Sequence, residues 1–312
     1  MSVVALVGVT ASGKSEAALN LARRRGDIEI VSVDSMCVYR GMDIGTSKPS
    51  RAHQAEVPHH LLDLVDPDEE FTVSQFQQAA RHVLGAVAAR GRHALLVGGT
   101  GLYLRAVVDD LRFPGRYPDI KVGLEAELGD GRVTVPELHA RLAVLDPTAA
   151  ARMEPTNHRR VVRALEVTLG SGQPFSTFGP GLEAYPPSPV AMIGLAVAPD
   201  ELDRRIALRF AGWVEAGLVD EVRELASRPA GISRTARQAL GYRELLAHVE
   251  RGAPLAECVD EAVRRTRSFS RRQVSWYRRD PRIVWSGDAV SSGDLLDRAL
   301  SAHDEQRRAA RL

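Results

Sequence analysis

The stretch VVALVGVTASGKSEAALNLARRR, Val3–Arg25, joins a short apolar run to a glycine-punctuated loop and then to a helical pattern. Its middle, Gly8, Val9, Thr10, Ala11, Ser12, Gly13, Lys14 and Ser15, has the spacing G-x-x-x-x-G-K-S. That spacing predicts a buried strand over Val3–Val7, a phosphate-cradling loop, and a helix over Lys14–Arg25 whose N-terminus receives the loop. Backbone N–H groups and the helix dipole attract phosphate oxygens, Lys14 neutralises them, and the Ser15 hydroxyl can ligate Mg²⁺. Such a loop recognises a diphosphate rather than what the diphosphate is attached to. A nucleotide and a different diphosphate ester therefore both remain open at this point.

Outward from the loop, strands and helices alternate. IEIVSVD (Ile28–Asp34) reads as a second strand ending in a carboxylate, and HHLLDLVDP (His59–Pro67) as a short third. Thr72 with Gln75 forms a capping-box pattern that opens an amphipathic helix ending at Gly91. HALLVGGTG (His93–Gly101) is another buried strand, with a helix near Leu102–Asp109. This order predicts an α/β fold, a P-loop NTPase-like, doubly wound parallel sheet. Ligands of such sheets lie at the carboxyl ends of the strands, which brings the loop, Asp34 and Gly99–Thr100 to one edge. From about Arg116 to Tyr185 the pattern changes to short helices, closing with a Gly/Pro-rich linker over Ser171–Pro189. A strand over Val190–Ala198, helices to about Tyr277 and a short strand RIVW follow. The expected organisation is a core in two parts, residues 1–115 and 186–312, interrupted by a helical insertion domain at 116–185. The polar last dozen residues are expected to fray.

Composition narrows the function. Of 312 residues, 44% are apolar and 26% charged, as in ordinary soluble domains. No membrane segment or leader peptide is expected. Cys37 and Cys258 match no metal or redox spacing, so a reduced, cytoplasmic setting is expected. Formal net charge is +1, but the 41 basic residues include only Lys14, Lys48 and Lys121 as lysines. Between Arg264 and Arg282 there are eight Arg against a single acid, Asp280, which points to a surface facing a polyanion. The strand ending LLVGGTG carries no acid for Mg²⁺, unlike the usual second acidic strand of a P-loop kinase or NTPase. Asp34 is then the available carboxylate. Asp before Ser commonly caps a turn, whereas its place at a strand end beside the loop favours a general base.

Beyond the loop, DSMCVYRGMDIGTSKP (Asp34–Pro49), PHHLLD (Pro58–Asp63), LLVGGTGLYLRA (Leu95–Ala106), RRVVRALEV (Arg159–Val167), QALGYRE (Gln238–Glu244) and RRQVSWYRRD (Arg271–Asp280) occur in order. This ordered set resembles the bacterial tRNA dimethylallyltransferases, also called tRNA isopentenyltransferases, over nearly the whole chain. The resemblance implies transfer of a dimethylallyl group from dimethylallyl diphosphate to N6 of the adenine just 3′ of the anticodon. The loop would hold the diphosphate leaving group, with Mg²⁺, and the partner would be a tRNA anticodon stem-loop. Asp34 matches the family's general base. Thr100 matches a hydroxyl near the reacting amine, although a helix N-cap explains Thr100 equally well. Asp34, Ser35, Met36 and Cys37 match the segment that touches the target base. Lys121, Arg159, Arg160, Val161, Val162 and Arg163 match tRNA-contacting positions. So do Gln238, Gly241, Tyr242, Arg243, Arg271 and Arg272. A monomer is implied.

Three departures stand out. Cys37 replaces the usual Gln, Lys121 an Arg, and EPTNH (Glu154–His158) matches the family's P-N-D pattern loosely. No zinc-finger pair of the eukaryotic kind is expected after the core. His59 and His60, adjacent on a strand, point apart and are expected to be structural. Three rivals stay open: an adenylate isopentenyltransferase using a free nucleotide, a P-loop kinase or NTPase, and a noncatalytic RNA-binding module. The first needs neither the insertion nor the basic stripe, the second lacks its acid, and the third leaves Lys14 and Asp34 without a task.

Overall fold

The computed structural model describes residues 1–179 and 181–309, with side chains up to Glu305 at the C-terminal end. The chain divides into two compact units, Met1–Asp110 with Pro186–Leu312, and Leu111–Tyr185.

The larger unit is built on β1 (Val3–Gly8), α1 (Lys14–Arg25), β2 (Ile28–Ser32), α2 (Arg51–Glu56), β3 (His59–His60), α3 (Val73–Ala89), β4 (His93–Gly98) and α4 (Gly101–Val108). The smaller unit contributes α5 (Pro118–Gly129), α6 (Val135–Leu145), α7 (Pro147–Ala150) and α8 (His158–Ser171). The larger unit resumes with β5 (Ala191–Leu195), α9 (Pro199–Glu215), α10 (Leu218–Ser227), α11 (Tyr242–Arg251), α12 (Leu255–Arg278), β6 (Ile283–Ser286) and α13 (Ala289–Ala309). All six strands are parallel, in the order β3-β2-β4-β1-β5-β6.

Alternation along β1 sorts its side chains onto two faces. Val4 and Leu6 pack with Leu95, Val97 and Ile193 against Ala17, Leu21 and Ala22 of α1 and Leu296 and Leu300 of α13. Ala5 and Val7 pack with Val31, Leu96 and Met192 against α3 and α4 through Phe76, Ala80 and Leu104. Because helices cover both faces, β4 is buried along its entire length. The Thr72–Gln75 capping box forms at the start of α3, and Gly91, at φ 70°, ends that helix in the left-handed region.

Where the chain leaves and re-enters the larger unit, one guanidinium binds both crossings. Arg282 Nη1 donates to Asp109 Oδ1 at 2.6 Å and to the Pro186 carbonyl at 2.8 Å. Its Nη2 donates to Asp280 Oδ2 at 2.6 Å, and Arg105 pairs with the same Asp109. Arg282 is therefore structural, and its charge is not part of a polyanion-facing surface.

The smaller unit has its own core of Leu124, Leu138, Leu142, Val161, Val162 and Leu165. A Thr134–Glu137 capping box starts α6, and Asn157 caps α8. After α8, the expected linker holds one 3₁₀ turn, Phe175–Phe178, and is otherwise irregular over its described residues; Pro180 lies outside them. Of the last dozen residues, which were expected to fray, 301–309 lie in α13 and 310–312 lie outside the described residues.

Candidate active site

At the carboxyl edge of β1, Gly8 ends the strand and the chain turns through Ala11 (φ 62°) to Gly13 (φ 93°), the N-cap of α1. The first N–H groups of α1 have no partner within the helix, and they open onto a crevice. The Ser12 hydroxyl is buried beside Gly8 without a hydrogen-bond partner among the described residues. Lys14 Nζ donates to the Val9 carbonyl at 3.2 Å, which folds its ammonium over the loop. Desolvation lowers the Lys14 pKa from 10.5 to about 8; Asp34 opposes the shift and Arg209 adds to it.

Arg209, on α9, is a cationic group of the cavity wall that the sequence reading missed. Desolvation lowers its pKa, Arg205 lowers it further, and it lies 5.9 Å from the centre of the Trp213 ring. It forms no salt bridge among the described residues. A half-buried guanidinium with no carboxylate partner among the described residues, beside a half-buried lysine, suits an anionic ligand. The signal in the sequence is the four-residue spacing of Arg205, Arg209 and Trp213, a basic and aromatic stripe along one helix.

Asp34 and Thr100 come together across the edge of β2 and β4. Asp34 Oδ1 accepts from the N–H of Met36 at 2.8 Å and of Cys37 at 3.4 Å, an Asx turn. Its Oδ2 has no hydrogen bond among the described residues. Thr100 occupies the N-cap position of α4 without capping it; instead its hydroxyl accepts from Ser35 N–H at 3.2 Å and contacts Ser35 Oγ at 3.4 Å. The close approach of the strands demands glycine here, because a Cβ on Gly98 would stand 1.9 Å from the Val33 carbonyl oxygen.

The segment after Asp34 is fixed by ion pairs and charge-assisted hydrogen bonds. Lys48 Nζ reaches Asp43 Oδ1 at 2.5 Å, Asp63 Oδ1 at 2.6 Å and the Tyr39 carbonyl at 2.6 Å. Glu221 accepts from the N–H groups of Asp43 and Ile44 at 2.9 and 2.8 Å and from the Tyr242 hydroxyl at 2.5 Å. The buried Cys37 thiol faces the Thr46 carbonyl at 3.6 Å, and burial raises its pKa well above the ordinary value. It presents no amide to a base.

Thr10, Lys14, Ser15, Asp34–Cys37, Thr100, Arg209, Gln238, Arg243 and Arg272 line one cavity of about 1030 Å³. Ser15 is exposed at its wall. Four of the residues expected to contact RNA are buried. Val161 and Val162 are 0% and 2% exposed in the core of the smaller unit, and Tyr242 and Gly241 are buried in the larger. Arg163 is turned inward to Glu166 and to the Pro114 and Gly115 carbonyls. Arg159 and Arg160 are exposed and Lys121 half-buried on the smaller unit.

The basic run on α12 is partly neutralised. Arg264 and Arg265 pair with Glu261, and Arg267 and Arg271 with Asp203. Arg272, Arg278 and Arg279 are exposed without a carboxylate partner among the described residues, and Arg272 stacks 5.8 Å from the Phe269 ring.

As for metals, Asp27, His93 and Asp304 approach one another. Arg25 binds both of these carboxylates, and His93 Nδ1 accepts from Ser2 N–H, which makes Nε2 the protonated nitrogen facing Asp304. The group is an ion-paired clasp on α13 rather than a metal site. His59 and His60 part as expected, to the Val57 carbonyl at 2.7 Å and to Glu29 at 2.6 Å. No helix among the described residues is long and apolar enough to cross a membrane.

A family model described as IPP transferase matches residues 37–280. The chain is 48% identical to a tRNA dimethylallyltransferase of Streptomyces coelicolor over 96% of its own length and 95% of that protein's. It is 46% identical to one of Thermobifida fusca, over 96% and 93%. Among solved structures, it is similar to the full-length tRNA isopentenylpyrophosphate transferase of Bacillus halodurans, with a TM-score of 0.70 and 35% identity over 98% of this chain and 99% of that one.

Proposed function

Because the chain belongs to the IPP transferase family, we propose that it transfers a dimethylallyl group from dimethylallyl diphosphate to N6 of the adenosine immediately 3′ of the anticodon in tRNA. The observation that carries this reading is the single cavity shared by the phosphate-cradling loop and the Asp34–Thr100 pair. A P-loop kinase would place a second strand-end acid for Mg²⁺ here, whereas β4 ends in glycine.

The diphosphate lies on the N-terminus of α1, with the loop N–H groups, Lys14 and Arg209 directed at its oxygens. The allylic C–O bond breaks with its electron pair passing to the diphosphate, and these fixed donors stabilise the charge as it develops. The N6 lone pair forms the new C–N bond. That nitrogen is a poor nucleophile because its lone pair is delocalised into the ring, so loss of its proton must accompany attack. Asp34 Oδ2 takes that proton, while Oδ1 keeps the carboxylate aimed through its Asx turn. Thr100 orients the amine. Ser15 is suited to hold Mg²⁺ through its hydroxyl, a hard oxygen donor, and when bound the ion would neutralise diphosphate charge.

A stacked base cannot reach this depth, so the adenosine is turned out of the anticodon loop into the cavity. Arg159, Arg160, Lys121, Arg243 and Arg272 bind RNA phosphates, which position the loop without reading its sequence. The protein acts as a cytoplasmic monomer in this reading. Incubation with labelled dimethylallyl diphosphate and either unmodified tRNA or AMP tests it. Label is expected in tRNA at the adenosine 3′ of the anticodon; label in AMP alone, or ATP hydrolysis without transfer, overturns it.

A further inference from the structure

Gln273 of α12 is 8% exposed and sits between the phosphate loop and the end of β4. Its Oε1 accepts from Thr10 N–H at 3.0 Å, and its Nε2 donates to the Gly99 carbonyl at 2.8 Å. These partners fix the orientation of the amide, since an N–H must face oxygen and a carbonyl must face N–H. Gly99 leaves the space: a Cβ there would stand 2.6 Å from Nε2. One turn further on, the Tyr277 hydroxyl faces the Gly98 carbonyl at 3.5 Å, so the same helix face lies along the whole edge. One amide thus joins the donor cradle to the strand end that leads directly into Thr100.

We propose that Gln273 is a positioning residue for the diphosphate cradle, holding the loop at Thr10 in register with Thr100 and Asp34 so that the departing bond faces the incoming amine. The inference rests on the reading of the cradle as a diphosphate site. A side chain with a donor and an acceptor at this reach is needed; methionine supplies neither, and a carboxylate supplies the acceptor but sets a negative oxygen against the Gly99 carbonyl.

The test is calorimetric titration of the full chain with inorganic diphosphate, alongside tRNA affinity and steady-state rates. Gln273→Met should weaken diphosphate by about tenfold, the scale of a lost buried hydrogen bond, raise KM for the donor and lower kcat, with tRNA affinity unchanged. Gln273→Glu should be equally weak at high pH and recover as pH falls, because the protonated acid again donates to Gly99. Gly99→Ala, which drives the amide away from the other side, should reproduce the selective loss if the methionine variant does not fold. Diphosphate affinity unchanged in these variants, an equal loss of tRNA affinity, or no recovery of Gln273→Glu at low pH overturns the proposal. Failure of the unaltered protein to bind diphosphate would instead overturn the reading of the cradle, and this inference with it.

Discussion

Asp34 uses one carboxylate oxygen to hold its own turn and leaves the other toward the cavity, so the turn and the proton acceptor belong to one side chain. Removing it should affect turnover far more than binding. Asp34→Ala is expected to lower kcat by about a hundredfold or more, the usual contribution of a positioned base, with tRNA affinity within about threefold of the unaltered protein. Full turnover in that variant would remove Asp34 from the reaction.

Lys14 carries a pH prediction. Desolvation holds its pKa near 8 in the free protein, below its ordinary 10.5, and a bound diphosphate favours the charged form. Affinity for diphosphate should therefore fall as pH rises through about 8, and binding near that pH should take up a proton. Lys14→Arg keeps its charge, leaves the ligand's own titration in place, and should flatten the difference. For the free protein the sign is opposite: the unfolded chain holds this proton up to 10.5, so the stability lost to burying the charge returns as pH rises from about 8. Equal pH slopes for the two proteins, compared by calorimetry, would refute the assignment.

Among the elements, α12 faces two ways. Its buried positions Gln273 and Tyr277 meet the strand ends, while Arg272 and Arg278 are exposed. The eight arginines counted in the sequence looked alike, because the acids that neutralise Arg267, Arg271 and in part Arg282 lie elsewhere in the chain: Asp203 is on α9 and Asp109 follows α4. Charge counting cannot see such distant neutralisation. The structure separates them, and the salt dependence of tRNA binding should follow. Arg272→Ala is expected to reduce the slope of log affinity against log salt by about one, and Arg267→Ala to leave it nearly unchanged. Equal effects would mean that the Asp203 pairs yield to phosphate. The elements easiest to read were those specified by local chemistry. The α1 helix runs over Lys14–Arg25 as its loop and terminal arginines imply, and the α3 capping box forms as written. Val161 and Val162 show the converse: a motif names a segment, but the period of α8 decides which of its side chains face the core.

Over the whole molecule, the parallel sheet was legible because buried strands and glycine turns alternate with helical patterns at regular intervals. The C-terminal helix was not, since its polar surface hides a narrow stripe, Leu296 and Leu300, that packs only once α1 and β1 are in place. Arg209 was missed for the same reason, as the cavity it serves is assembled from elements far apart in the chain. The Arg282 staple bears on how such a molecule could be assembled. Asp109 and Pro186 bind a single guanidinium nitrogen, so the ends of the larger unit already meet where the smaller one begins and stops. Bridging 110 directly to 186 with a few glycines should yield a cooperatively melting, diphosphate-binding protein with impaired tRNA binding, and a molten or aggregated product would show that the smaller unit is required for folding. If the shortened chain folds, the helical module is a cassette that can be inserted or replaced without unpicking the chemistry beneath it.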